Sequence, residues 1–409
     1  MQALRARRWL ILGFLVAAGV LNYADRQVIA VLKPDIQAAL GWTDADYGGL
    51  AAIFQFAAAI SVVIAGWIVD RVNLRIANPL GVAAWSLSAM AHGVVHTLMQ
   101  FSILRAALGA TEAMGTPMAV KTVTTLFRPE ERSTAMGVSN AATNVGAIIT
   151  PLLLAPLSVL TGWRGAFLLV GGLGLVWAAA WLVAVRRWDA KAPVVAPDDK
   201  IVQLSPPVSY VQMLRSRTTW AIVGAKALSD QVWWLLLFWG PDFFHRVFHL
   251  KVAELGGPLA IAYGLAAAGS LAGGMLSGRL VKRGGRPVRV RLLLITAAAF
   301  VAPAVILSLG ASSVWMAAMF LGVTLAAHQC VSVNIFSLIG DVSPPSRIGS
   351  VTSLGALFGN LAGMTVVYQA GRMLSGSSGY APILWLAGTS YLAAALWLWV
   401  WLPKALRSR

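Results

Sequence analysis

The sequence predicts an all-α membrane protein, with twelve transmembrane helices in two pseudo-symmetric six-helix bundles. Three observations predict it. Of 409 residues, 58% are apolar and only 11% charged, about half the charged share of an average soluble domain. The apolar residues gather into runs of the roughly 20 residues that a helix needs to cross a bilayer. A single long polar, proline-bearing segment divides those runs six and six.

In chain order the runs lie at 9–32, 47–69, 76–96, 98–124, 133–160, 164–185, 218–240, 255–281, 289–310, 313–340, 347–374 and 380–402. The first has a basic flank (Arg5, Arg7, Arg8), as a secretory signal would. It continues to Leu32 without a small-residue cleavage site, so it reads as a retained span. Cys330 is the single cysteine, which excludes an internal disulfide, and in its apolar run it reads as a small buried hydrophobe. The polar segment 188–216 reads as a cytoplasmic linker joining an N-terminal bundle (1–187) to a C-terminal one (217–409).

The net charge of +17 does not indicate nucleic acid, because the 32 basic residues form no single patch or aromatic-lined face. They fall in short loops. With both termini in the cytoplasm, the inside loops and termini take most of them, and the outside loops hold only Lys33, Arg164, Arg246, Lys251 and Arg372. That asymmetry fits the positive-inside rule. Two echoes indicate related halves: GWIVDRVNLR (66–75) returns as GMLSGRLVKR (274–283), and Arg132 and Arg347 each follow a proline (Pro129, Pro344) at the start of a span.

Charges within spans are the functional signal. Each costs at least about 2.5 kcal/mol at the bilayer centre, so each needs a partner and a reason. Asp25 and Arg26 lie in the first span, and Arg105 and Glu112 in the fourth, with each pair's members the natural partners of one another. Counted from the outer helix ends at 1.5 Å per residue, Arg26 and Arg105 both sit roughly 10 Å inside, and Glu112 about 10 Å deeper. Guanidinium binds carboxylate in a bidentate fork and does not deprotonate, which suits it to an organic anion. A carboxyl group's protonation responds to burial and to a neighbouring guanidinium, so arrival of an anion can change which of Asp25 and Glu112 keeps its proton. The expectation is that Asp25 and Glu112 couple protons, Arg26 and Arg105 bind the substrate carboxylate, and Asn22 and Tyr23 add polar contacts. The alternative is a set of permanent ion pairs that lock helix packing.

In the seventh span Lys226, Asp230 and Trp233 follow one another at about one turn, along one stripe. They are a substrate-facing set, with Trp233 packing on a substrate ring, or a helix-stabilising ion pair beside a packing tryptophan. His328 and Gln329 near the middle of the tenth span, and Asn144, Asn334 and Asn360, are polar groups that read substrate hydroxyls or bond between helices. Lys121 belongs to gating or to an internal pair.

Particular segments carry a family resemblance: LNYADR (21–26), RAALGATEA (105–113), KTVTTLFRPEERSTAMG (121–137), KALSDQVWWLLLFWGPDFF (226–244) and AHQ (327–329). Over nearly its whole length the chain resembles the major facilitator superfamily, in particular its anion:cation symporters and their bacterial hexuronate transporters. GWIVDR resembles the superfamily's gating motif, which implies a cytoplasmic latch of Asp70, Arg71 and Arg75 with Arg132 as their partner. The chain departs from the pattern at Ala58 and Thr143, where a tyrosine and a glutamine are frequent, and at Gly278, which stands where the first gating motif has Asp70.

The resemblance implies proton-coupled uptake of a hexuronate such as glucuronate or galacturonate, by a monomer in a bacterial inner membrane. Its partners are the organic anion, protons and the lipid bilayer, with no nucleic acid. Other small organic anions (aldonates, aldarates) are the alternative, and drug efflux is poorly matched by two intramembrane arginines. An enzyme would need a metal cluster or a nucleophile with its base, yet the histidines (92, 96, 245, 249, 328) are scattered. No catalytic residue, metal or cofactor is expected, and no G-x-x-x-x-G-K-[ST] loop points to ATP.

Overall fold

The computed structural model describes residues 2–127, 129–185, 210–343, 348–376 and 379–407. The linker expected at 188–216 falls mostly outside them. All regular structure among these residues is helical. The described residues belong to two compact units, one drawn from Met1–Pro197 with His249–Ala260, the other from Asp198–Phe248 with Ile261–Arg409.

In the first range run α1 (Gln2–Val31), α2 (Lys33–Leu40), α3 (Asp44–Arg71), α4 (Leu74–Ala91), α5 (Leu98–Glu112), α6 (Gly115–Leu126) and α7 (Pro129–Ala184). Capping boxes start α3 and α5: Thr43 and Asp46, and Thr97 and Gln100, each bond the other's backbone N–H, satisfying donors that a helix start leaves bare. The run α7 is two helices joined at a kink. Gly162, at φ 69°, separates its arms, a backbone conformation that side-chain-bearing residues rarely adopt.

The fourth expected span is broken into α5 and α6 at Ala113 and Met114. Pro117 supplies the cause, since it offers no N–H to the carbonyl four residues back, that of Ala113, and its ring crowds that oxygen. Glu112 is therefore the last residue of a half-helix. A second interruption follows the same rule: the helix Pro287–Val301 gives way to a 3-10 stretch, Ala302–Gly310, whose second residue is Pro303.

The second range continues with α8 (Tyr210–Arg215), α9 (Arg217–Phe248), a 3-10 turn (Val252–Glu254), α10 (Gly256–Lys282), α11 (Pro287–Val301), α12 (Val314–Val342), α13 (Ile348–Leu374), α14 (Ala381–Trp401) and α15 (Lys404–Arg407). Nine helical stretches among the described residues are long and apolar enough to cross a membrane. The other three expected spans correspond to α4, to the broken α5 and α6, and to the first arm of α7.

The same pairings recur in the two units. The first span packs on the fifth and sixth, and the third on the fourth and sixth. Indoles stitch these contacts by donating to neighbouring helices, Trp177 to the Phe14 carbonyl at 2.9 Å, Trp239 to that of Val367 at 3.2 Å, and Trp397 to that of Trp220 at 2.9 Å. Large apolar side chains such as Leu160, Phe300 and Leu396 point outward, as a hydrocarbon solvent requires.

Lys33 departs from the sequence reading. It was expected as an outside loop lysine, but it is fully buried and bonds Asp44 at 2.8 Å, with the Tyr47 ring centre 5.3 Å from its ammonium. A short helix, α2, folds back after α1 and carries it inward. Lys121 donates to the Val69 carbonyl, one of the acceptors left bare at the end of α3, where a cation also meets the negative end of the helix dipole.

Candidate functional site

In the first unit α1, α3 and α5 assemble a polar cluster. Arg26 donates from Nε (3.1 Å) and Nη2 (2.7 Å) to the same Glu112 oxygen, Oε2. Its Nη2 also lies 3.5 Å from Asn22 Oδ1, and its guanidinium stands 5.4 Å from the Tyr23 ring centre. Tyr23 is set by α7, because Gly146 lets that helix approach so closely that a Cβ there would lie 2.8 Å from the Tyr23 Cβ.

Three groups around this pair are uncommitted. Glu112 Oε1, both oxygens of Asp25 and all three nitrogens of the Arg105 guanidinium are buried without a hydrogen-bond partner among the described residues. Asp25 and Arg105 are both fully buried, at 0% exposure. Phe54 on α3 lies against both cations, its ring centre 5.1 Å from the Arg26 guanidinium carbon and 4.5 Å from that of Arg105. Buried polar atoms are nearly always paired, so this concentration makes the cluster the candidate site of the first unit.

The second unit is organised differently. Lys226 and Asp230 form an ion pair at 2.7 Å within α9. Three glycines on α13, four residues apart, make room for it: a Cβ on Gly355 would meet the Lys226 side chain, one on Gly359 would lie 2.6 Å from Asp230 Oδ2, and one on Gly363 would strike Trp234. The Lys226 ammonium also stands 4.4 Å from the Phe336 ring centre. Trp233 stacks on His328 (centroids 5.1 Å apart, planes at 20°), and the Tyr391 hydroxyl lies 3.0 Å from His328 Nδ1.

Comparison with known proteins now bears on this arrangement. The Major Facilitator Superfamily matches residues 15–367. The chain belongs to the Major Facilitator Superfamily. Among its relatives, the probable L-galactonate transporter of Escherichia coli K12 is 30% identical, over 83% of this chain and 76% of that protein. The hexuronate transporter of the same organism is 25% identical over 98% of this chain and 95% of that one, and the galacturonate transporter of Dickeya chrysanthemi is 23% identical over 62% and 77%. A crystal structure of a bacterial homologue of the human lysosomal transporter Spinster shares the fold, with a TM-score of 0.73 at 21% identity, covering 98% of this chain and 96% of that one. The protein is thus an integral membrane transporter, hexuronate-transporter-like in sequence, and not an enzyme.

The structure brings together Asn22, Tyr23, Arg26 and Glu112, and places Arg105 on the ring that also meets Arg26. It re-pairs the charges, however. Arg26 joins Glu112 across helices, rather than Asp25 joining Arg26 and Arg105 joining Glu112. Adjacent helical residues do not face each other, and residues seven apart are about 10 Å apart along the axis, so neither expected pair was within reach of a direct bond. Lys226 pairs with Asp230 and Trp233 stacks on His328, with Gln329 next to His328 in the sequence of α12 and Asn360 next to Gly359 in that of α13. Asn334 donates to the Cys330 carbonyl within its own helix at 2.9 Å, which is local bonding rather than an interhelical one.

Arg75 is half-buried, and its carbonyl accepts from Trp181 at 3.2 Å. The side chains of Asp70, Arg71, Arg132 and Asn144 lie outside the described residues. Sequence reasoning missed Phe54, Tyr391 and the break after Glu112. Only the break had a sequence signal, Pro117, because an aromatic residue in an apolar span looks the same whether it packs against lipid, leucine or arginine.

Proposed function

We propose that the protein imports the monoanion of a sugar acid, a hexuronate or an aldonate, together with a proton, by alternating access. The observation that carries this reading is the Arg26–Glu112 pair beside an Arg105 and an Asp25 whose side-chain nitrogens and oxygens have no hydrogen-bond partner among the described residues. An incoming carboxylate meets the forked donors of Arg105 and competes with Glu112 for Arg26. When it displaces Glu112, that carboxylate loses its cation and takes a proton, so one anion and one proton load together. On the other side, proton loss returns Glu112 to Arg26 and expels the anion. Asp25 is the second proton-coupling group, with Asn22 and Tyr23 steadying Arg26.

Trp233 stacked on His328, with Tyr391, Gln329 and Asn360, provides a surface for a ring and its hydroxyls, Lys226 a further cation, and Asn144 of the first bundle a further hydroxyl partner. Asp70, Arg71, Arg75 and Arg132 act as the cytoplasmic gate. The two bundles, joined by the linker, form the moving halves of a monomer in a bacterial inner membrane with both termini in the cytoplasm. The names of the relatives, which include galactonate, hexuronate and galacturonate transporters, support the substrate class.

The test is uptake of radiolabelled glucuronate, galacturonate and galactonate into proteoliposomes, with and without an inward proton gradient. Gradient-stimulated uptake is expected, absent in Arg105→Ala and insensitive to the gradient in Glu112→Gln. Gradient-independent uptake by the wild type would overturn proton coupling. Failure of the folded protein to take up any of the three acids would overturn the substrate class.

A further inference from the structure

The proposed cycle leaves one feature of the first unit without a cause. A guanidinium buried with no acceptor is strongly disfavoured, yet Arg105 is held in that condition, with every nitrogen unpartnered among the described residues. What faces it is the ring of Phe54, itself fully buried, with the Arg105 guanidinium carbon 4.5 Å from the ring centre. The Arg26 guanidinium lies 5.1 Å from the same centre.

The backbone explains why the ring is there. Gly109, one turn after Arg105, meets α3 at the Phe54 carbonyl, and a Cβ at Gly109 would lie 2.3 Å from that oxygen. Backbone cannot yield as a side-chain tip can, so only glycine admits this approach. It presses the Phe54 position of α3 against the turn of α5 that carries Arg105.

We propose that Phe54 is a positioning residue of the anion site, whose π face stabilises the Arg105 cation electrostatically while leaving its N–H donors for the substrate carboxylate. A cation–π contact is directed at the ring quadrupole and is strongest where water is excluded. A carboxylate at this position would hold the arginine more firmly but would occupy the donors that the substrate needs. An aliphatic side chain would fill the same space without the ring's attraction for the cation. Sharing the ring with Arg26 also keeps the two guanidinium groups on one support, so a carboxylate docking on Arg105 arrives beside the cation that Glu112 must release. This inference rests on the proposed role of Arg105 in binding the sugar-acid carboxylate.

The electrostatic claim separates from packing by replacing Phe54 with mono-, di- and trifluorophenylalanine, which drain the π face while nearly preserving the ring's shape. Sugar-acid uptake into proteoliposomes is measured for each, together with Phe54→Leu. The KM is expected to rise stepwise with fluorine number, by about ten-fold for the trifluorinated ring, with Phe54→Leu at least as impaired. The maximal rate and its response to the proton gradient should hold. A KM unchanged across the fluorine series, or a fall in maximal rate with KM unchanged, would overturn the proposal and make Phe54 a packing residue. The wild-type measurement separates the two claims, since absence of sugar-acid uptake there overturns the transport reading, whereas normal wild-type uptake with a flat fluorine series overturns only the role of the ring.

Discussion

The polar cluster of the first unit and that of the second hold similar inventories of charge in opposite ways. In the second, Lys226 and Asp230 neutralise each other within one helix, at i and i+4, and the glycines of α13 are shaped around the finished pair. In the first, the ion pair bridges α1 and α5, and a second arginine and a second carboxyl group stand beside it without hydrogen-bond partners. A pair closed within one helix survives any motion of that helix. A pair that bridges two helices, with a vacant oxygen on Glu112 and vacant donors nearby, can be exchanged. Under the proposed function, charge recognition and coupling fall to the first unit, and shape and hydroxyl recognition to the second.

The largest effect that would break this comparison lies at Arg105. Replacing it with lysine keeps the charge but removes the planar fork, and uptake in proteoliposomes should fall about a hundred-fold. Lys226→Ala should cost about ten-fold or less, mostly in KM. If the two losses were equal, or reversed, the division of labour between the units would be wrong.

A second test concerns stability. Breaking a buried pair by removing one partner strands the other, at about 3 kcal/mol. Lys226→Met and Asp230→Leu should each lower the melting temperature in detergent, and the double variant should recover most of the loss. The corresponding double replacement of Arg26 and Glu112 should also fold, but should not transport. Gly359→Ala sharpens the point without touching a charge, because its Cβ would fall 2.6 Å from Asp230 Oδ2. It should destabilise the protein by about 1–3 kcal/mol, the cost of overpacking, as read from the same melting curves.

The smallest expected effect is at Tyr391. Removing its hydroxyl with Tyr391→Phe deletes one hydrogen bond to His328 Nδ1, a contribution of about 1 kcal/mol. A rise of about five-fold in KM, with the gradient response intact, is expected from uptake kinetics. Loss of the gradient response would instead place coupling in the second unit.

How much of this was legible in the chain differs between fold and site. The spans were, because α9 and α12 must each present some twenty apolar residues whatever their neighbours. The presence of Arg105 and Glu112 in an apolar segment was enough to mark a candidate site, and the Lys226–Asp230 pair follows from its spacing alone. The partner of Arg26 was not legible. It depends on where α5 crosses α1, and a depth counted along one helix says nothing about the distance across to another.

The sequence by itself determined the class of the molecule, its spans and which charges lie within them, because the bilayer acts on each segment independently and penalises each charge wherever it stands. The tertiary structure alone decided which charges are paired and which are vacant. That outcome rests on contacts between segments far apart in the chain: the touch of Gly109 on the Phe54 carbonyl, the reach of Arg26 to Glu112 and the stacking of Trp233 on His328. Each follows from the close packing of whole helices, which no local pattern encodes.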